Sequence, residues 1–435
     1  MVLGASGMYI VSVVLPTVQA EFDAARGDAS LSYALSMIGY GFGTILMGWL
    51  TDRYGIMVAV LIGTVAMAAG FVLAGSATSL LQFVLIHGVL IAMLGGSATM
   101  IPLIADTTLW FARRRGIAVA ICASGNFVGG ALWPPIVQHF VDGFGWRATY
   151  VGIALACLLT MLPLALYLRR RPPGVEDARA QSRVPAADAS GATDASGAAG
   201  ASVAASAGAG AGAGVTVAAA AADRPLGLAP VTLAVILCIA GLACCAAMAM
   251  PQAHLVAYCT DLGYGAARAA EMMSVLLGFG VVSRLLFGFI CDRIGGLRTL
   301  LLGSLLQALG LALFLPFDQL GALYVVSALF GLFQGGIVPQ YAIIVRDLYP
   351  ANRAGSMVGI VLTATMFGMA LGGWMAGAAF DLTGSYYAAF VNAIGWNLLH
   401  IAIVLFLLHR AGLLQSRRKA PASSNAARAV PSIRV

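Results

Sequence analysis

The chain has 435 residues, 60% of them hydrophobic and only 9% charged. A soluble globular protein carries about 25% charged residues, so the composition excludes that class and leaves an integral membrane protein. The net charge of +7 does not mark a nucleic-acid binder. The basic residues stand singly or in threes at the ends of apolar runs, where they orient a chain in a bilayer.

Apolar runs predict helices over residues 1–20, 29–50, 57–77, 80–104, 116–140 and 148–168, then 230–256, 270–290, 298–317, 321–345, 355–380 and 387–409. Each is long enough for a bilayer core about 30 Å thick. The first run has no basic n-region and no clear cleavage site, so it reads as a first span, not a removed signal. No basic segment precedes Met1, which leaves open a start upstream of it. The predicted organisation is an N-terminal six-helix bundle over 1–171, a flexible cytoplasmic linker over 172–229, a C-terminal six-helix bundle over 230–413 and a basic cytoplasmic tail over 414–435. The linker is rich in alanine, glycine and serine and has few bulky apolar side chains to bury.

Positive charge sets the expected orientation, with both termini and the linker in the cytoplasm. That side then holds Arg53, Arg113 to Arg115, Arg169 to Arg171, Arg293, Arg298, Arg346, Arg353, Arg410, Arg417, Arg418 and Lys419. The outer side holds only Arg26, Arg147 and Arg268. The seven cysteines lie in or beside apolar runs with neither disulfide nor metal spacing, and read as small buried residues.

The chain repeats itself. Gly48-x3-Asp52-Arg53-x-Gly55 recurs as Gly288-x3-Asp292-Arg293-x-Gly295, displaced by 240 residues. Trp110-Phe111-Ala112-x-Arg114-x-Gly116 matches Tyr349-Pro350-Ala351-x-Arg353-x-Gly355, and Asp142-x2-Gly145 matches Asp381-x2-Gly384, both displaced by 239. Two parallel halves of six spans with a site between them is a transporter architecture.

The Asp-Arg turns resemble the loop signature of the major facilitator superfamily. Gly48, Asp52, Arg53 and Gly55 match it, and Gly288, Asp292, Arg293 and Gly295 match it again. Its trailing basic residues are replaced in the first copy by Ile56 and Met57, while Arg298 stands near that place in the second. Gly145-Trp146-Arg147 before the sixth helix is a further family feature. The resemblance covers both halves, apart from linker and tail. It implies an all-α membrane protein of twelve helices in two pseudo-symmetric bundles, moving a solute by alternating access in the cell (inner) membrane. It also implies that Asp52, Asp292, Arg114 and Arg353 join a network that latches the outward-open state and loosens in the other.

Several stretches are similar to the branch of monocarboxylate porters and oxalate:formate antiporters. These are Trp110-Phe111-x-Arg113-Arg114-Arg115-Gly116 leading to Ala123-Ser124-Gly125, Gly384-Ser385-Tyr386, and an arginine placed as Arg284 is. In that branch this arginine is taken to hold the substrate carboxylate. Two places depart from the pattern. The branch has an acid one turn before the arginine, where this chain has Gly280. It also has lysines in the first or eleventh helix, and neither helix has one here.

The residues themselves point to Arg284. Eight residues separate it from Asp292, about 12 Å along a helix. A charge so deep costs on the order of 2.5–3.5 kcal/mol on insertion scales. Every acidic residue outside the linker falls in a loop or near a helix end, so none is expected to neutralise it. An unpaired guanidinium facing a cavity suits a carboxylate, which its planar fork binds bidentately. Gly280 and Gly288, one turn to either side, would leave open volume around it. The competing readings are that Arg284 snorkels to the cytoplasm or bonds backbone carbonyls.

Further candidate contacts are Tyr9, Asn126, Gln252, Gln334 and Tyr341, in helices that line the family's cavity. For each, an ordinary interhelical hydrogen bond is the competing reading. His254 is the candidate for a coupled proton, with a counter-anion the other possible partner; His400 reads as structural. The pairs Gly95-Gly96 and Gly335-Gly336 permit close approach and bending. No P-loop or catalytic triad is present, and no enzyme activity, metal or cofactor is expected. The sequence thus predicts a secondary transporter of a small organic anion, chiefly a monocarboxylate. The alternatives are an exporter of amphipathic compounds and a transporter-like sensor or receptor.

Overall fold

A computed structural model describes residues 1–110, 115–169 and 225–419. Apart from short turns these residues are helical, and no strand occurs among them. Lipid offers the backbone no hydrogen-bond partners, so an apolar chain satisfies its own N–H and C=O groups in helices. The first half comprises α1 (Ser6–Glu21), α2 (Arg26–Tyr54), α3 (Ile56–Gly75), α4 (Leu80–Ile86) running into a π-helix (His87–Gly96), α5 (Ile101–Trp110), α6 (Arg115–Phe144) and α7 (Trp146–Tyr167). The second comprises α8 (Pro230–Asp261), α9 (Ala266–Ile294), α10 (Gly296–Leu313), α11 (Leu320–Gln334), α12 (Ile337–Leu348), α13 (Ala351–Thr383) and α14 (Tyr386–Lys419).

Nine spans among the described residues are long and apolar enough to cross a membrane: α2, α3, α7, α8, α9, α10, α11 with α12, α13 and α14. With α1, α4–α5 and α6 they make twelve crossings, in line with the sequence. The predicted linker lies outside the described residues up to position 224. Its last part is seated, with Leu226 buried in the core and its turn, Pro225–Gly227, in contact with α14. The helix α14 runs on past the predicted bundle end at 413, through Lys419.

The internal repeat is visible in three dimensions. The last glycines of the Asp-Arg turns, Gly55 and Gly295, have φ of 92° and 84°. A side chain there would be strained, so glycine lets α2 turn into α3, and α9 into α10, within one residue. The fourth and tenth spans are each interrupted, where the sequence predicts single helices over 80–104 and 321–345. The glycine pairs explain the difference. A Cβ on Gly96 would overlap the Tyr40 ring of α2, and one on Gly336 would overlap the Phe287 ring of α9. Close approach of a neighbouring ring thus takes precedence over a regular helix.

The halves meet along α1 with α8, α2 with α13, and α6 with α9. The last two seams are closed over corresponding parts of their length. Along α2 and α13, contact begins where Gly27 meets Asp381 and Ala378. It continues through Ser30 with Gly377 and Tyr33 with Gly373. It ends where Phe42 meets Phe367 edge to face at 5.9 Å. Past that point Gly48, Gly355 and Gly359 face open space, and Trp49 and Ile360 are exposed. Along α6 and α9, Ser274 donates to the Ala131 carbonyl, Gly130 lies against Leu277, and Phe127 fills the space at Gly280. One turn beyond Arg284, Gly288 faces open space. Both seams are therefore shut toward the face away from the linker, and part toward the face that bears the Asp-Arg turns.

Candidate functional site

Arg284 sits where the α6–α9 seam begins to open. Its Nη1 donates to the Ala123 carbonyl of the opposite half at 3.0 Å. Its guanidinium carbon lies 4.1 Å from the centroid of the Phe127 ring, a cation–π contact. Its Nε is buried without a hydrogen-bond partner. Among the described residues no carboxylate is within ion-pairing distance of it. The competing expectation of a carbonyl bond is thus met in part, yet a carbonyl and a ring leave the net charge uncompensated. The side chain crosses to the other half and does not snorkel along its own helix. Gly280 does not provide open volume, because Phe127 occupies it; Gly288 does.

Two other predicted residues belong to this neighbourhood. The Tyr9 hydroxyl donates to Asn126 Oδ1 at 2.9 Å, joining α1 to α6. Asn126 directly precedes Phe127, and the Tyr9 ring packs where a Cβ on Gly130 would stand, beside Leu277 of α9. Ordering Asn126 therefore also orders the ring under Arg284. Gln252 and Gln334 form a separate pair, Nε2 to Oε1 at 3.3 Å, and Gln334 Nε2 is buried without a partner among the described residues. Tyr341 is not brought to Arg284. Its hydroxyl bonds His400 Nε2 at 2.9 Å within the second half, where the tyrosine ring is buried in the core.

His254 is fully buried near the face away from the linker. Its Nδ1 is 3.2 Å from the Tyr386 hydroxyl, and its Nε2 is 2.8 Å from the Gly373 carbonyl and 3.3 Å from Ser30 Oγ. Both ring nitrogens have partners: Nδ1 within the second half, and Nε2 within it and across to Ser30 of the first.

At the linker face, Asp52, Arg53, Asp292 and Arg293 are exposed, and none of them enters an ion pair among the described residues. Arg53 and Arg293 instead lie over rings of their own helices, Trp49 and Phe289. Arg353 is exposed at the start of α13. Arg114, the remaining member of the predicted network, lies outside the described residues. The opposite face is different. Arg26 of α2 is paired with Asp261 of α8, and Asp381 of α13 accepts from the first backbone N–H groups of α2. These three residues were not singled out by the sequence. The one available signal was Asp381 in the repeated Asp-x2-Gly pattern, and repetition alone does not say which copy crosses to the other half. Phe127 was missed because a phenylalanine in an apolar run carries no distinguishing mark.

Comparison with known proteins agrees with this arrangement. The family described as Major Facilitator Superfamily matches residues 1–195 and 247–433. Monocarboxylate transporter 13 of Bos taurus is 24% identical over 416 residues, covering 94% of this chain and 85% of that protein. Monocarboxylate transporter 12 of Xenopus laevis is 26% identical over 376 residues, covering 82% and 75%. The agnestins efflux protein AgnL12 of Paecilomyces divaricatus is 24% identical over 322 residues, covering 74% and 64%. The crystal structure of a D-xylose-proton symporter superposes with a TM-score of 0.66 at 16% identity, over 93% of this chain and 94% of that one. At such identity the superposition establishes the fold alone.

Proposed function

Because this chain belongs to the major facilitator superfamily, we propose that it is a secondary transporter of a small organic anion, chiefly a monocarboxylate, working by alternating access. The observation that carries the reading is Arg284. It lies at the inner limit of the closed part of a seam between halves, with no carboxylate among the described residues to neutralise it. A charge left uncompensated at that depth favours a mobile counter-ion. A carboxylate can bind one edge of the planar guanidinium bidentately. Tyr9 and Asn126 hold Phe127 under it; Gln252 and Gln334 offer amide groups for the rest of the solute. The monocarboxylate transporters among its relatives are consistent with this cargo.

The excess of arginine on the linker face supports placing that face in the cytoplasm. In that orientation the arrangement described above is inward-facing. Asp52 and Asp292 enter no ion pair among the described residues, and in this reading they would re-form their network in the outward-facing state.

The test is counterflow in proteoliposomes against a panel of carboxylates, with and without a pH gradient. Uptake of a monocarboxylate is expected in the native protein and is expected to be lost in Arg284→Ala. Full uptake by that variant overturns the reading. The pH-gradient arm separates a coupled proton, for which His254 is the candidate, from a counter-anion. A second reading, export of amphipathic compounds, is favoured by the efflux protein among the relatives. Amphipathic solutes moved equally well by native protein and Arg284→Ala would select it.

A further inference from the structure

The face away from the linker holds a joint that the transport reading does not use. The helix α2 begins with Ala25 as its N-cap and has no capping side chain of its own. The first N–H groups of a helix have no partner within it and carry its positive dipole end. Here the partner comes from the other half. Asp381, near the C-terminal end of α13, accepts from Arg26 N at 2.8 Å through Oδ1 and from Gly27 N at 2.6 Å through Oδ2. The approach needs Gly27, since a Cβ there would stand 2.9 Å from Asp381 Oδ2 and 3.3 Å from the Ala378 backbone.

The side chain of Arg26 adds a second tie. Its Nη1 pairs with Asp261 Oδ2, its Nη2 lies 3.3 Å from Asp261 Oδ1, and Nη1 also donates to the Tyr386 hydroxyl at 3.1 Å. Gln19 of its own half accepts from Nε at 3.0 Å, and the guanidinium carbon lies 4.1 Å from the Phe380 ring centroid. The Arg26 side chain is only 10% exposed, while Asp261 is 35% exposed, so the guanidinium end of the pair is largely shielded and the carboxylate end is partly solvated. Ser30, one turn further along α2, meets His254 and Gly377 below it.

Apart from the Gln19 bond, these contacts cross from α2 to α8, α13 or α14, and those that cross need the outer ends of the halves to touch. An interaction available in one of two conformations biases the equilibrium toward that conformation. We propose that Asp381 on the first turn of α2, together with the Arg26–Asp261 pair, is an outer latch that holds the inward-facing state and must open for the carrier to turn outward. The proposal rests on alternating access and not on the identity of the cargo.

The experiment reads opening of the outer seam directly. Ser30 is fully buried in this conformation, and Ser30→Cys places a thiol there. Labelling by a membrane-impermeant maleimide added to the outer face reports outward opening; the protein without Ser30→Cys gives the background of its native cysteines. Asp381→Asn keeps the side-chain size and removes the charge. Gly27→Ala keeps every charge and displaces the carboxylate. Each is expected to raise the labelling rate at least threefold in intact membranes. Glu21→Gln, which loosens an outer contact confined to the first half, is expected to leave it unchanged. Native rates in both Asp381→Asn and Gly27→Ala overturn the latch, and so does an equal rise in Glu21→Gln, which would mean general loosening of that face. Since no uptake is measured, loss of the anion reading leaves this result intact.

Discussion

The two long seams between the halves are related by the internal repeat, yet their charges lie in opposite places. In the α2–α13 seam the charges are at the outer end, where Arg26 meets Asp261 and Asp381 caps α2. Its middle is neutral: the position displaced by 240 residues from Arg284 is Thr44, whose hydroxyl bonds the Gly41 carbonyl of its own helix at 2.8 Å. The position displaced by 239 from Phe127 is Met366. In the α6–α9 seam the charge is in the middle, on Arg284 over Phe127. Its outer-end charges do not cross: Gln138 donates to Asp142 within α6, and Arg268 pairs with Glu271 within α9. A duplicated scaffold has thus divided two tasks that a symmetric carrier would have to perform twice. On the readings proposed above, one seam would carry the latch and the other the site.

The division is broken most severely at the middle of α6–α9. Arg284→Lys keeps the charge but loses the planar fork and two of its donors. A hydrogen bond to a charged group is worth about 1.5–3 kcal/mol, so at least a tenfold loss of monocarboxylate uptake is expected. The proteoliposome assay checks it, and uptake within twofold of native would mean that only charge matters. The next largest effect concerns gating. Asp52 is exposed and enters no ion pair among the described residues, so Asp52→Asn should leave this conformation intact and weaken the outward-facing one. Outer-face labelling of Ser30→Cys is then expected to fall, opposite in sign to Asp381→Asn, and the double variant should lie between the two. A rise with Asp52→Asn would remove that residue from the gate. Phe127→Ala should be milder. A cation–π contact is worth about 0.5–1 kcal/mol at partly exposed sites, which corresponds to a twofold to fivefold change in apparent affinity, read as KM for uptake.

Much of the fold was legible because lipid reduces the choices. Twelve apolar runs, an asymmetry of arginines and a 240-residue repeat were enough to expect two bundles, and twelve crossings are found. The π-helix that ends at Gly95-Gly96, with the break just after it at Thr99-Met100, and the break at Gly335-Gly336 were less legible, since whether a glycine pair bends or merely packs depends on the ring that approaches it. Arg284 was legible because a lone charge in an apolar helix is costly wherever it points. Tyr341 was not, because an apolar helix with a tyrosine does not say which neighbour the hydroxyl will find; it found His400. Arg26, Asp261 and Asp381 were individually visible as charges at helix ends. Their meaning arises only when three separate helices converge, and linear spacing does not encode that convergence.

The smallest expected effect tests whether crossing between halves is what gives the outer charges their role. Arg147 resembles Arg26 in composition of contacts. Its Nη2 pairs with Glu21 at 2.7 Å, its Nη1 donates to the Gly75 carbonyl at 2.9 Å, and it lies over the Trp146 ring, whose Nε1 donates to the same Glu21. These contacts join α1, α3 and α7, all in the first half. The pair is also more open to solvent, with side chains 39% and 38% exposed. Exposed pairs of this kind contribute about 0.2–1 kcal/mol. Glu21→Gln should therefore lower the thermal midpoint of the purified protein by no more than a few degrees, with uptake kinetics unchanged. A change in kcat without a change in stability would mean that a contact inside one half also participates in switching, and the assignment of gating to the α2–α13 seam would have to be widened to the whole outer face.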